Sequence, residues 1–85
     1  MNKTIYSCQN ERVRETLVGL RRKAKLTQRQ LAAKLRREHS FVSRFELGER
    51  RIDVVELFWI CKACGVNPKS VATRLMRDFE NLPSE

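Results

Sequence analysis

The residues best suited to chemistry lie in the stretch EHSFVSRFELGERR, residues 38–51. Placed on a helix at 100° per residue, this stretch separates into two faces. The apolar face holds Phe41, Val42 and Phe45. The opposite, polar face holds His39, Ser40, Ser43 and Arg44, together with Leu47. The polar face offers hydrogen-bond donors, acceptors and a cation to a ligand lying along the helix. An ordinary amphipathic helix with a solvated side has the same pattern, so this stretch alone does not identify a ligand.

Positive charge is concentrated in one segment of the chain. The 85 residues carry a formal net charge of +8. Residues 21–51 contain eleven basic and three acidic residues, so this segment holds the whole excess and the rest of the chain is neutral. Solubility alone does not require such a concentration, whereas a polyanionic partner such as nucleic acid would explain it. A solvated basic face and an anionic membrane surface are the alternatives.

A polar helix face within a basic segment favours double-stranded DNA as the ligand. The major groove admits one α-helix, and its base edges are read by short polar side chains and by arginine, which donates two hydrogen bonds to guanine. A face of long lysine side chains would supply charge without this chemistry. We therefore expect residues 39–47 to form a helix that reads bases in the major groove.

Other chemistry finds little support in the sequence. It contains no paired His/Cys or Ser/His/Asp arrangement and no glycine-rich phosphate loop, so we expect no enzymatic activity and no cofactor. Cys61 and Cys64 have the spacing of two metal ligands, but a structural zinc site needs four, and only Cys8 and His39 remain as candidates. We interpret both as small apolar residues on a helix and predict no metal site. An odd set of three cysteines is typical of a reducing cytoplasm.

The periodicity of apolar residues predicts five helices and no strand. The helices cover about 8–24, 28–35, 39–47, 54–64 and 68–80. Four of them follow a residue that can cap the first turn: Ser7, Thr27, Asp53 and Asn67. Gly48 and Gly65 are placed to end the third and fourth helices. We therefore predict an all-α fold, with one domain over residues 1–85 and an ordered core over about 6–80.

The second and third predicted helices have helix-turn-helix spacing. The second helix is short, about three residues separate it from the third, and both carry an inward apolar stripe. In that motif the second of the two helices enters the major groove while the first crosses the DNA backbone.

The segments LTQRQLAAKL and HSFVSRFELGER resemble the XRE/Cro-type helix-turn-helix domain, which has the lambda-repressor-like fold. The resemblance covers about residues 6–79 and includes IDVVELFWICKACGVNPKSV for the last two helices. Its most specific positions are Thr27, Gln28, Leu31, Ala32, Ser40, Val42, Ser43, Phe45, Glu46 and Gly48. The resemblance implies a sequence-specific, double-stranded DNA-binding transcription regulator, with a repressor as the expected form. A homodimer on an inverted-repeat operator is the expected assembly.

The resemblance also implies roles for individual residues. The positions that match base-contacting ones are His39, Ser40 and Arg44, with Ser43 nearby. The positions expected to contact backbone phosphates are Thr27, Gln28, Arg37, Arg50 and Arg51. Arg21 and Glu46 match an ion pair that links the first and third helices of many members. We expect that pair to be structural, because breaking a partly buried pair leaves an uncompensated charge.

Two positions depart from the family pattern. Arg36 stands where the turn between the second and third helices often has glycine, so either Arg36 adopts a left-handed conformation or the turn follows another path. Glu38 stands where a capping serine, threonine or proline is usual before the third helix. A carboxylate is compatible with a helix N-terminus, but it would face DNA phosphates.

The fourth and fifth helices carry more apolar surface than a 10 kDa core obviously needs. The residues concerned are Leu57, Phe58, Trp59, Val71, Leu75, Met76 and Phe79. They complete the monomer core or contribute to a homodimer interface, and the sequence does not choose between these two roles.

The remaining expectations concern location and rival functions. No apolar run reaches 18 residues, and MNKTIYSCQN lacks the apolar segment of a secretion signal, so we expect a cytoplasmic protein that is nucleoid-associated when bound and does not enter a membrane. One rival is an antitoxin-type member that binds a toxin protein and autoregulates its operon. Another is an interaction module with a merely basic surface, such as a coactivator or an RNA binder.

Overall fold

The computed structural model describes residues 8–83, which fold into five α-helices without a strand in that range. The helices are α1 (Cys8–Lys23), α2 (Gln28–Leu35), α3 (His39–Glu46), α4 (Val54–Ala63) and α5 (Pro68–Glu80). The all-α prediction is confirmed, and the predicted boundaries agree to within one residue. Residues 1–7 and 84–85 are outside the described range, and so are the predicted Ser7 cap and the first residues of the predicted core. Each helix within residues 8–83 is too short or too polar to span a bilayer.

In three of the helices, the side chain of the N-cap residue accepts a hydrogen bond from the first turn. Thr27 Oγ1 accepts a hydrogen bond from the Gln30 backbone N–H at 3.1 Å, and the Gln30 side chain accepts one from the Thr27 N–H at 2.8 Å. Asp53 and Glu56 form the same reciprocal pair at the start of α4. Asn67 caps α5 ahead of Pro68. These local bonds satisfy backbone donors that would otherwise have no partner, which explains why the helices begin where the sequence predicted.

Left-handed residues end the first four helices. The four are Lys25, Arg36, Gly48 and Gly65, with φ between 56° and 81°. In each case the next residue donates its backbone N–H to a carbonyl five residues earlier, as from Arg37 N to Ala32 O at 2.9 Å. This is the Schellman arrangement. Arg36 therefore adopts the left-handed conformation, at a cost of roughly 1 kcal/mol or more relative to glycine.

The core joins all five helices. Its buried members are Leu17, Leu20, Leu31, Ala32, Phe41, Val42, Phe45, Ile60, Cys61, Val71 and Leu75. Helix α2 packs against α3 and α4, while α5 packs against α1 and α4. Cys61 is fully buried and Cys64 packs against the core. Burial raises the pKa of both thiols, so these cysteines stay protonated and apolar in character.

The apolar residues of α4 and α5 divide into a buried group and an exposed group. Val71 and Leu75 belong to the core, and Leu57 and Phe79 pack against it. The remaining large apolar side chains of these helices are exposed by 42–77%: Val54, Val55, Phe58, Trp59 and Met76. Four of these five lie on α4, so α4 carries a contiguous exposed apolar surface.

A glycine in the middle of α1 gives a direct test of helix propensity. Gly19 is exposed, and a Cβ added there would meet no atom within 4 Å beyond its chain neighbours and the backbone of its own helix. Because glycine in a helix interior costs about 1 kcal/mol relative to alanine, we expect Gly19→Ala to raise the free energy of unfolding by about that amount. Gly65→Ala is the matched control. It also has open space, but its φ of +76° makes the same substitution destabilising by roughly 1 kcal/mol. Urea denaturation followed by circular dichroism measures both, and a loss of stability in Gly19→Ala would contradict the prediction.

Candidate nucleic-acid interface

The two faces of α3 separate as the helical periodicity predicted. Phe41, Val42 and Phe45 are at most 6% exposed, and the two phenyl rings meet edge to face at 5.5 Å. On the other face His39 and Arg44 are exposed, while Ser40 and Ser43 are half-buried. The Ser43 hydroxyl donates to the Ser40 carbonyl at 3.2 Å, which leaves its oxygen as an acceptor. The buried stripe thus fixes the helix and turns two serines, a histidine and an arginine to one side.

A hydrogen-bonded network ties α3 to α1 and α2. Arg21 donates to both carboxylate oxygens of Glu46, at 2.6 and 3.0 Å, and to the Leu26 carbonyl at 2.8 Å. Gln28 donates its side-chain amide to Glu46 Oε1 at 2.8 Å. The Arg21 and Glu46 side chains are only 12% and 7% exposed. The hydrogen bond to Glu46 raises the pKa of Arg21, so this guanidinium stays charged although it is mostly buried. Gln28 at the start of α2 is therefore held in a fixed relation to α3.

A second arginine fixes the C-terminal end of α3. Arg14 of α1 donates to the backbone carbonyl of Glu46 at 2.9 Å and also binds the Glu11 carboxylate. The bond satisfies one of the carbonyls that a helix end leaves without an intrahelical partner. Arg14 was not among the predicted site residues, because nothing in the spacing of α1 indicates which of its arginines meets α3.

Arg37 and Arg50, two of the residues expected at phosphates, meet at Glu56 of α4. Arg50 donates to both Glu56 carboxylate oxygens, at 2.9 and 2.7 Å, and Arg37 Nη1 lies 3.5 Å from Glu56 Oε2. Both guanidinium groups also lie over the Phe41 ring, at 3.9 Å for Arg37 and 4.9 Å for Arg50. Glu56 was not among the predicted site residues. The capping-box pattern with Asp53 could have located it, but not its two arginine partners.

The other expected phosphate contacts are Thr27, Gln28 and Arg51, of which Gln28 is half-buried. Thr27 and Arg51 are exposed, and the Thr27 hydroxyl already accepts the capping bond from the Gln30 N–H. Thr27 and Gln28 stand at the N-terminus of α2, while Arg51 lies in the loop after α3. The expected phosphate contacts therefore lie in three places: the turn before α3, the loop after α3 and the start of α2. Among the described residues, no group of three or more His, Cys, Asp or Glu side chains could hold a metal ion.

Glu38 precedes α3 without capping it. Its backbone is extended (φ −64°, ψ 150°), as a cap requires, but its side chain bonds no backbone N–H of the helix. Its carboxylate instead accepts from the Ser40 hydroxyl at 3.3 Å. In α2, α4 and α5 the N-cap side chain accepts a backbone hydrogen bond, whereas in α3 it does not.

Replacing Glu38 with serine supplies the missing cap. Because a serine in this conformation accepts from a backbone N–H of the first turn, we expect Glu38→Ser to raise the free energy of unfolding by about 1 kcal/mol. We also expect tighter binding to duplex DNA, since a negative charge beside α3 is removed. Glu49→Ser removes the same charge from the exposed loop after α3 and creates no cap. Equal unfolding free energies for the two variants would refute the capping argument.

The Glu56 cluster predicts a pH dependence of stability. The hydrogen bonds from Arg50, with smaller contributions from the Asp53 backbone N–H and from Arg37, lower the pKa of Glu56 from 4.5 to about 2. Because the folded-state pKa lies below the unfolded one, the stabilisation is complete above about pH 4.5 and is lost as the pH falls toward 2. We expect the free energy of unfolding to fall by up to about 2 kcal/mol over this range. This is less than the full pKa shift of Glu56 implies, because Arg50 is about one-third exposed and solvent screens the ion pair. The unfolding free energy of Glu56→Gln, measured between pH 5 and 2, should lack this component; an unchanged slope would contradict the assignment.

Comparison with known proteins supports this geometry. A family model described as "Helix-turn-helix domain" matches residues 12–75. A solved structure described as an XRE-family like protein from Pseudomonas syringae pv. tomato str. DC3000 is 37% identical, with a TM-score of 0.80. That alignment covers 88% of this chain and 92% of the other. A search of curated proteins finds no match.

The fold and its two packed helices, α2 and α3, define a helix-turn-helix domain. Since the family model covers most of the chain and the solved relative spans nearly the whole fold, the chain belongs to the XRE-type family of helix-turn-helix proteins. In general terms it is a DNA-binding regulator.

Proposed function

We propose that the protein is a sequence-specific transcription regulator, acting as a repressor, that binds double-stranded DNA with α3 in the major groove. The observation that carries the proposal is the exposed polar face of α3, held outward by a buried aromatic stripe and by the Glu46 network. To read bases, side chains must be fixed in position on a helix that fits the major groove. Helix α3 meets the second requirement, and its packing and hydrogen bonds meet the first.

The proposed roles follow from chemistry and position. His39, Ser40 and Ser43 offer short hydrogen-bonding groups to base edges, and Arg44 can bind guanine through two hydrogen bonds. The groups proposed to hold backbone phosphates are Thr27, Gln28, Arg37, Arg50 and Arg51. Contacts of this second kind fix the register of the protein on the duplex and carry no sequence information directly.

We further propose a homodimer on an inverted-repeat operator in the cytoplasm. Two copies of α3 would then occupy half-sites separated by about one helical turn, roughly 10 bp. The support is the exposed apolar surface of α4, with Met76 of α5 exposed as well, because contiguous exposed apolar patches on small proteins mark interaction sites.

Selection of bound sequences from a random duplex library tests the function. The selection is done near 0.15 M salt, because purely electrostatic contacts to phosphates weaken steeply as salt rises. An enriched inverted repeat supports both the regulator and its dimer. A single enriched half-site supports the regulator and contradicts the dimer. Binding without enrichment contradicts sequence-specific recognition and favours a role centred on a protein partner, such as the toxin of an antitoxin-type member.

A further inference from the structure

A cleft opens beside α3, between the turn that precedes this helix and the loop that follows it. The residues that line it are Arg37, Glu38, Ser40, Phe41, Arg44 and Arg50. Three of them are arginines, opposed within the cleft by the carboxylate of Glu38. Ser40 and Arg44 also belong to the polar face of α3. A duplex lying against that face would therefore bring its backbone close to the cleft.

Two of the three arginines are held together from below. Phe41 is 6% exposed, and both the Arg37 and the Arg50 guanidinium groups lie over its ring. Glu56, whose side chain is 14% exposed, binds Arg50 through two oxygens and Arg37 through one. Cation–π contact and a shared carboxylate thus restrict two long side chains that would otherwise sample many rotamers.

Arg37 and Arg50 keep N–H donors that can bind a ligand. A guanidinium has five N–H donors, and Arg50 uses three of them: two on Glu56 and one on the Arg51 carbonyl at 2.8 Å. Arg37 has the ion pair with Glu56 and a side chain that is 43% exposed. One carboxylate offsets only one of the two cations, so the pair retains positive charge. Guanidinium groups bind phosphate oxygens through paired, charge-assisted hydrogen bonds.

We infer that Arg37 and Arg50 form a preformed binding cleft for one phosphodiester group, and that Glu56 is the positioning residue that aligns them over Phe41. The inference rests on the proposed function, since the phosphodiester is taken to belong to the DNA backbone. In this inference the Glu56 carboxylate favours DNA binding, although its negative charge alone would oppose it. Glu56 also caps α4, and the test must separate these two roles.

The test compares two variants that each remove one negative charge. Glu56→Gln keeps a side-chain oxygen for the capping bond to the Asp53 N–H but loses the charge that holds both arginines. Glu49→Gln removes a charge from the exposed loop after α3. Charge alone predicts that both variants bind DNA more tightly. We expect Glu56→Gln to bind a mixed-sequence duplex about tenfold more weakly, the effect of one charged hydrogen bond, and Glu49→Gln to bind as tightly as the wild type or more tightly. Affinity for Glu56→Gln equal to or above that of Glu49→Gln would overturn the inference.

A second variant guards against misfolding of Glu56→Gln. Arg50→Lys preserves the charge but cannot donate to both carboxylate oxygens and a phosphate in the same planar geometry. We expect it to lose affinity to a similar extent at unchanged net charge, and wild-type affinity would count against the cleft. On a duplex with one uncharged methylphosphonate at the contacted position, Glu56→Gln should cause no further loss. Additive losses at every such position would also overturn the inference.

Failure of the proposed function has a different signature. If the wild-type protein binds no duplex even at low salt, DNA binding itself is contradicted. Titration with inorganic phosphate, followed by the NMR signals of the Arg37 and Arg50 side-chain N–H groups, then judges the cleft alone. Shifts in the wild type that disappear in Glu56→Gln support a phosphate site independent of DNA, and unchanged signals in the wild type exclude it.

Discussion

Glu46→Ala is expected to lower the free energy of unfolding by about 3 kcal/mol. The substitution leaves the Arg21 guanidinium, 12% exposed, without its carboxylate, and it removes the acceptor of the Gln28 amide. An uncompensated, mostly buried cation accounts for most of the expected loss. Urea denaturation followed by circular dichroism gives the value.

Two companion variants show whether the pair itself is responsible. Glu15→Ala removes an exposed carboxylate whose ion pair with Arg12 spans 3.6 Å, and it should change stability by less than about 0.5 kcal/mol. Arg21→Met combined with Glu46→Ala removes both charges, so it should recover part of the loss. If Glu46→Ala is no worse than Glu15→Ala, the network does not hold α1, α2 and α3 together.

Arg44→Ala is expected to cost about 1–3 kcal/mol of binding free energy on the preferred duplex and much less on others. Arg44 is exposed at the polar face of α3, where a guanidinium can reach a guanine edge. Anisotropy titrations on the selected duplex and on single-base variants, at one salt concentration, measure both affinity and preference.

The control for Arg44 is an arginine of equal charge elsewhere. Arg74 is exposed on α5, so Arg74→Ala removes the same charge without altering α3. We expect it to weaken binding slightly and equally on every duplex. A uniform loss for Arg44→Ala would show that Arg44 contacts a phosphate and reads no base.

The local features of this protein could be predicted from its sequence. Periodicity and capping residues such as Thr27 and Asp53 located the helices to within one residue, because helix formation depends on neighbours three or four positions away. The same periodicity divided α3 into the buried and polar faces that the structure shows. The concentration of charge in residues 21–51 indicated a polyanionic partner without any structure. The partnership of Arg21 with Glu46 came from resemblance to the family, since 25 residues separate them.

Other features depend on how the helices cross. Glu56 meets Arg37 and Arg50 only because α4 packs beneath the turn and the loop that flank α3. The bond from Arg14 to the end of α3 likewise depends on where α1 lies. The exposure of Phe58 and Trp59, next to the partly buried Leu57, follows from which side of α4 meets the core. Local sequence patterns were thus enough to predict the helices and the two faces of α3, and the concentration of positive charge favoured a polyanionic partner. The tertiary structure decided which charges meet, because side chains far apart in the chain interact only after packing brings them within a few ångströms.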